Sequence, residues 1–265
     1  MKPSPAVRVY MTVLDRFRLD GQTAVVTGGN RGIGRAIAEG MAEVGANVVV
    51  ANRDAESGRE AAEAIAEETG AETLAVRTDV TDEDDVEAMV SATVDEFGDL
   101  DILVNNAGIV HHNAVEDKSV AEWAETIDVN LTGAYRCSKY AGEVMKAGDG
   151  GTVINISSMS AFIANYPQRQ VDYQASKGGL EAFKNQLAAE WAEHGIRVNN
   201  INPGYVITDN IVHGDDVLET WRSEMLVEEF ASPGDIAPLA VYLASEAAWY
   251  VTGESVLIDG GYTVT

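Results

Sequence analysis

The stretch Thr23-Ala24-Val25-Val26-Thr27-Gly28-Gly29-Asn30-Arg31-Gly32-Ile33-Gly34 decides how this chain folds. Its first five residues read as a buried strand, and the pattern over 32–44 reads as a helix with small residues turned inward. Gly28, Gly32 and Gly34 lie in the turn between them. Glycines there permit a tight turn and let backbone N–H groups approach a pyrophosphate at the helix N-terminus. A strand before and a helix after separate a phosphate-binding turn from a merely structural glycine-rich one.

Outward from that turn, strand and helix alternate nearly to the end. Strands are expected at 47–51, 73–77, 100–104, 151–156, 197–201 and 255–258. Helices are expected at 54–69, 82–97, 120–147, 173–194 and 233–245. Continuous apolar strands separated by helices imply a mainly parallel sheet covered on both faces. The expected fold is therefore α/β, a single doubly wound Rossmann domain with a seven-stranded sheet. It spans 19–265, after an N-terminal arm at 1–18. The long segment at 203–230 lacks a clear strand or core pattern and is expected to be a substrate lid.

Composition narrows the function. The 265 residues include 46% hydrophobic residues and only six prolines, which excludes a disordered or fibrous chain. No apolar run reaches the ~18 residues of a membrane span. Forty-three acidic against 18 basic residues give a net charge of −25, which disfavours nucleic acid and anionic membranes as partners. Only six residues are lysine, and acids occupy every predicted exposed face. This pattern resembles proteins of extremely halophilic cells, and self-repulsion of this size calls for screening by salt. The single cysteine, Cys137, rules out an internal disulfide and a cysteine metal cluster, and it reads as a small core residue. The chain start lacks the apolar segment of a secretory signal, so a cytoplasmic location is expected.

Tyr173 and Lys177 are four residues apart and share one helix face. A phenol ordinarily titrates near ~10, too high for acid/base work at neutral pH, and a neighbouring ammonium favours the phenolate. Ser158, just past the 151–156 strand, is placed to hydrogen-bond the reacting oxygen and hold it near the tyrosine.

The turn spacing Gly-x-x-x-Gly-x-Gly, Asn105-Asn106-Ala107-Gly108 after the fourth strand, and Tyr173-x-x-x-Lys177 together resemble the short-chain dehydrogenase/reductase family. Ser157-Ser158, Asn130 within Asp128-Val129-Asn130, and Pro203-Gly204 add to the resemblance, which runs from Leu19 to Tyr262. It implies a catalytic group of Asn130, Ser158, Tyr173 and Lys177, with Asn130 supporting a water-linked proton path to Lys177. It also implies a cofactor site of Gly28, Asn30, Arg31, Gly32, Ile33, Gly34, Asn106, Ala107, Gly108, Tyr173, Lys177, Pro203 and Gly204. Asp79-Val80 resembles the family's adenine contact, and Val206 with Thr208 its nicotinamide-amide contact. The family further implies a homotetramer.

One departure concerns spacing. Many members place the serine thirteen residues before the tyrosine, a position held here by Ser160, whereas Ser158 is fifteen before it. Ser158 is preferred because it directly follows Asn155-Ile156-Ser157, with the extra residues lengthening the loop that follows. That loop resembles the branch acting on polyols and ketoses such as mannitol, arabinitol, xylulose and sorbose. Its Ser158, Ser160, Asn165 and Tyr173 are the expected substrate contacts, because a polyhydroxylated substrate needs donors and acceptors. Packing against a neighbouring subunit is the plainer reading of the same loop. Arg169 reads as a solvated arginine or as an anchor for a substrate anion.

At the end of the second strand an acid would bind the adenosine ribose and repel a 2′-phosphate. Asn52 stands there, followed by Arg53, with Arg31 on the same side, so NADP is expected over NAD. Asp54 reads as a helix N-cap. His111 and His112 suggest a solvated or substrate-side pair rather than a metal site, and no metal is expected. Trp249, Tyr250 and Tyr262 read as interface or core aromatics. Two rival functions stay open: a reductase of 3-oxoacyl thioesters or another carbonyl, and a non-catalytic nucleotide sensor on the same fold.

Overall fold

Alternation of side chains along each strand explains the architecture. In β1 (Thr23–Thr27), Ala24 and Val26 enter one core while Val25 enters the other, and β2 (Asn47–Asn52) divides Val48 and Val50 from Val49 in the same way. A strand buried on both faces needs helices on both. The computed structural model describes residues 12–208 and 215–265, with side chains described outside 209–216.

Seven parallel strands form one sheet in the order β3-β2-β1-β4-β5-β6-β7. The remaining strands are β3 (Thr73–Arg77), β4 (Ile102–Asn105), β5 (Gly151–Ile156), β6 (Ile196–Pro203) and β7 (Ser255–Ile258). Helices are α1 (Gly32–Glu43), α2 (Ala55–Thr69), α3 (Glu83–Phe97), α4 (Val120–Ile127), α5 (Gly133–Ala147), α6 (Val171–Trp191), α7 (Asp215–Ser223) and α8 (Pro233–Ala244). Strand order reverses between β1 and β4, the switch point where doubly wound sheets bind ligands at their C-terminal edge.

On one face Ile37 and Met41 of α1 pack with Ile236 and Ala240 of α8. On the other, Met89 of α3, Cys137 and Met145 of α5 and Trp191 of α6 fill the core. Burial pushes the Cys137 thiol up to about 12, so it behaves as a small apolar residue.

Two expectations need correction. The segment 120–147 is not one regular helix: Asp128–Thr132 form a π turn between α4 and α5. The turn inserts one residue into the helical register and re-aims Asn130. The segment 203–230, expected to lack a core pattern, contributes buried residues, and its 209–214 lie outside the described residues. Trp221 is fully buried and stacks on Tyr205 with ring centroids 4.0 Å apart, Met225 is buried, and Val206 joins the main core. The expected arm at 1–18 is described only from residue 12, where Asp15–Phe17 form a short 3-10 turn.

Candidate active site

The turn after β1 is knitted to the loop after β4. Thr27 Oγ1 donates to the Val104 carbonyl at 3.2 Å and accepts from the Asn106 and Ala107 N–H groups at 3.0 and 3.1 Å. Asn106 Nδ2 donates to the Thr27 and Gly28 carbonyls at 2.9 and 3.2 Å. Gly28 and Gly32 have φ of +65° and +56°, and a Cβ on Gly34 would come within 2.3 Å of the Gly28 carbonyl oxygen. Asp54, Asp82 and Ser119 cap α2, α3 and α4 with their side chains, but no side chain caps α1 behind Arg31. Its first N–H groups therefore remain available to an anion, as a dinucleotide pyrophosphate requires. The residues fit the cofactor that the sequence implies.

Beyond this turn, Arg53 and Asp79 line a cavity of about 520 Å³ together with Thr81, Glu125, Asp128 and Val129. Asn52 is buried and committed inward, donating from Nδ2 to the Asp54 carbonyl at 2.6 Å. Asp54 caps α2, accepting from the Glu56 and Ser57 N–H groups. Asn52 is not offered to a ribose, whereas Arg31, Arg53 and the capping Asp54 are all exposed there. Ser57, which sequence reasoning missed, accepts from Asn30 Nδ2 at 3.0 Å on the same side.

The catalytic candidates converge at the C-terminal end of β5. Lys177 is 4% exposed and its Nζ donates to the Ile156 carbonyl at 2.7 Å, lying 5.4 Å from the Tyr173 ring centroid. Burial pulls its ammonium down to about 8, against the opposing charge of Glu181. The Tyr173 hydroxyl is instead pushed up by burial, and Ser158 is the group that opposes that rise. The expected lowering of the phenol by Lys177 is thus not expressed in this arrangement, where burial dominates. Ser158, not Ser160, faces the tyrosine. Ser160 stands behind it, with the two Oγ atoms 3.0 Å apart and the Ser160 N–H donating to Ser158 Oγ at 3.1 Å.

Asn130 is brought to this edge, but not to Lys177. Its Oδ1 accepts from the Ile109 N–H at 2.8 Å, and its Nδ2 donates to the Ile109 carbonyl and to Ser176 Oγ at 2.9 and 3.0 Å. Loop residue Asn165 is buried, and Gln170 Nε2 bridges Ser160 Oγ and Asn165 Oδ1 at 3.4 and 3.3 Å. The Tyr205 hydroxyl accepts from Asn165 and Gln168 at 3.4 and 3.1 Å, tying the loop to the segment after β6.

A family model described as enoyl-(acyl carrier protein) reductase matches residues 28–263. The chain is 36% identical over 265 residues to sorbose reductase of Candida albicans, covering 98% of this chain and 94% of that one. It is 36% identical over 255 residues to the NADP-dependent mannitol dehydrogenase of Hypocrea jecorina, covering 95% and 96%. A short-chain dehydrogenase/reductase structure from Mycobacterium marinum superposes with a TM-score of 0.93 at 38% identity, covering 96% of this chain and all of that one. The chain belongs to the short-chain dehydrogenase/reductase family.

As a member of that family it is an NAD(P)-dependent dehydrogenase. Other sequence-read positions of this dehydrogenase fall as follows. Pro203 ends β6, Gly204 packs against Asp259 where a Cβ would meet Cα at 2.6 Å, and Val206 bridges to Ala231. Thr208 lies over Gly32, Gly108 against Asn130, and Val80 against Gly133. Ile33 is partly buried against the core. His111 Nε2 lies 3.3 Å from Glu125, Arg169 is exposed, and no metal-binding group occurs among the described residues. Trp249 and Tyr250 are 46% and 84% exposed, so they are not core within one chain, and Tyr262 donates to Glu224 at 2.6 Å. No helix of the described residues is long and apolar enough to cross a membrane.

Two buried clusters escaped the sequence reading. Asp172, fully buried beside Tyr173, accepts from Lys118 Nζ at 2.9 Å and Thr126 Oγ1 at 2.7 Å. Lys118 also donates to the His111 carbonyl at 3.0 Å, so this ion pair ties the loop after β4 to the start of α6. Glu181, one turn beyond Lys177, anchors the second cluster. The signal was lysine itself: in a lysine-poor chain, Lys118, Lys177 and Lys184 are all buried as side chains.

Proposed function

We propose that this dehydrogenase moves hydride between NADP(H) and a polyol or its ketose, with Tyr173 as the acid/base. The observation that carries the reading is the meeting of Tyr173 with the buried Lys177 ammonium, 5.4 Å from its ring centroid, at the end of β5 where Ser158 stands. The nicotinamide, when bound, gives or takes the hydride. Tyr173 gives the proton to a carbonyl oxygen, or takes it from an alcohol, at its hydroxyl. Ser158 orients the reacting oxygen, and Ser160 fixes the Ser158 hydroxyl. Lys177 supplies the positive charge that favours the phenolate when its ammonium turns toward the hydroxyl. Asn130 has its side chain occupied by Ile109 and Ser176, so its part in a proton path falls to its main chain.

Support for NADP is the pair of exposed cations, Arg31 and Arg53, beside the inward-turned Asn52, with Asp54 serving as the cap of α2. Gly28, Asn30, Gly32, Gly34, Asn106 and Ala107 would hold the cofactor's phosphate side. Asp79, Val80, Gly108, Pro203, Gly204, Val206 and Thr208 would border its two ends. Support for a polyol is the amide-rich wall of Asn165, Gln168 and Gln170 around Ser160 and Tyr205. The exposed Trp249 and Tyr250 support a homotetramer, and the net charge of −25 supports a salt-rich cytoplasm.

Purified protein assayed in molar salt tests the reading: NADP+ with mannitol, galactitol and arabinitol, and NADPH with sorbose, fructose and a 3-oxoacyl thioester. Turnover of a polyol–ketose pair is expected. Turnover of the thioester alone would replace the substrate class, and nucleotide binding without turnover of any would favour a sensor.

A further inference from the structure

Lys177 is buried among neutral groups apart from one carboxylate. Glu181 follows it by one turn of α6, with its side chain 16% exposed. Its carboxylate accepts from Asn202 Nδ2 at 2.6 Å and from the Ser255 hydroxyl of β7 in a short contact. The same Asn202 Nδ2 donates to the main-chain carbonyl of Ser158 at 3.2 Å. Lys184 is buried too, donating to Ser255 Oγ at 2.5 Å with its Nζ 3.8 Å from Glu181. One carboxylate therefore connects α6, β6 and β7, and reaches two of the catalytic candidates by different routes.

We propose that Glu181 is a positioning residue of the catalytic group: its carboxylate keeps the Lys177 ammonium charged, and through Asn202 it holds the Ser158 main chain. The proposal rests on the roles given above to Tyr173 and Lys177. Burial alone drives a lysine towards the neutral amine, and a neutral Lys177 has no charge with which to favour a phenolate. Glu181 is the charge that opposes this, since burial brings Lys177 to about 8 even with the carboxylate present. Glu181 itself stays ionised: the polar groups around it, with hydrogen bonds from Ser255 and Asn202, outweigh its burial and hold its pKa below the ordinary value. Around Lys177 the charged or titratable groups are Tyr173 and Glu181 of its own helix. Among the described residues, the strands beneath contribute the neutral Ile156 carbonyl, Ser157, Asn200 and Asn202, while Lys184 faces Glu181.

The lysine-poor sequence makes a direct test practical. The full chain, grown with lysine carrying carbon-13 at the ε position, shows six side-chain resonances, and the one missing from Lys177→Met identifies Lys177. Its titration is then followed by NMR at fixed salt, with no substrate required. Glu181→Gln is expected to lower the Lys177 midpoint by about one pH unit, a tenfold loss in proton affinity. Glu181→Met is expected to lower it likewise and answers the question if the glutamine variant misfolds, while Glu181→Asp, which keeps the charge, is expected to leave it near the parent's. A fall in the charge-removing variants alone supports the proposal. An unchanged midpoint in them, or an equal fall in Glu181→Asp, overturns it. The acid/base role of Tyr173 is read separately, by the turnover of Tyr173→Phe, so either idea can fail without the other.

Discussion

Two cations, Arg197 half-buried and Lys177 buried, stand at opposite ends of β5, and their surroundings differ. At the N-terminal end, Arg197 pairs in register with Thr152 and donates to five oxygens. These are Thr152 Oγ1, the Leu243, Ala244 and Ser245 carbonyls that end α8, and the Val251 carbonyl, at 2.6 to 3.4 Å. A cation there also meets the negative end of the helix dipole. At the C-terminal end, Lys177 gives one N–H to Ile156 and has no other hydrogen-bond partner among the described residues. Burial pulls both below their ordinary values, to about 10 for Arg197 and about 8 for Lys177. One is saturated and structural. The other keeps two of its three donors free for a ligand.

That difference predicts a separation of activity from stability. The largest effect belongs to Tyr173→Phe, which removes the buried hydroxyl and leaves the ring. Turnover should fall by about 10²–10⁴-fold while NADP(H) affinity and melting temperature stay near the parent's. Steady-state kinetics beside a cofactor titration will show it.

The converse variant is Arg197→Met. It strands the last carbonyls of α8, and losing charge-assisted hydrogen bonds of this kind costs about 1.5–3 kcal/mol. Denaturant unfolding should register that loss, while kcat per folded molecule stays unchanged. Should kcat fall with stability unaltered, the two ends would not be the separate devices described.

Arg53 is a third kind of cation, exposed at the same edge as Lys177. One charge-assisted contact to a 2′-phosphate is worth roughly 1.5–3 kcal/mol, and about 1.4 kcal/mol is tenfold. A preference for NADP over NAD of about ten- to a hundredfold in kcat/KM is therefore expected. Asn52→Asp with Arg53→Ser should reverse it by adding repulsion while removing attraction. A parent that favours NAD would mean that Arg53 serves only the surface.

Salt sharpens the contrast between buried and exposed charge and gives the smallest change per group. The Debye length falls from about 10 Å at 0.1 M to about 3 Å at 1 M, relieving repulsion among surface acids but leaving the buried pairs nearly untouched. Melting temperature should climb into molar salt by about 2–4 °C for each kcal/mol relieved. Equal stability in dilute buffer would remove the inference of a salt-adapted surface.

Much of this was legible in the residues. Apolar strands and the glycine turn at 28–34 carried the sheet and its ligand edge, because hydrophobic period and backbone freedom are local properties. Ser158 was separable from Ser160 by its place after β5. The π turn was not legible: Val120 to Ala147 keeps a helical pattern on both sides of it, and only packing shows the inserted residue. Nor was the direction of Asn52, which looked like a cofactor contact and turned inward to α2. The phenol was expected to be lowered by Lys177, but burial is a property of the whole fold and outweighed the spacing. Few lysines were read as a surface trait, when the complement mattered equally: those retained at 118, 177 and 184 lie inside.

The most direct measurement is Lys177→Met, read at pH 7 for stability and turnover together. A lysine held at about 8 instead of 10.5 penalises the folded state by roughly 3 kcal/mol when charged. The sign follows from linkage: the penalty is fully present below pH 8, shrinks as pH rises from 8 to 10.5, and is gone above. The variant should therefore melt higher than the parent at pH 7, by a margin that closes towards pH 10.5, and should have lost turnover. A variant that melts lower at pH 7 and still turns substrate over would contradict the account, for Lys177 would then be a structural cation like Arg197.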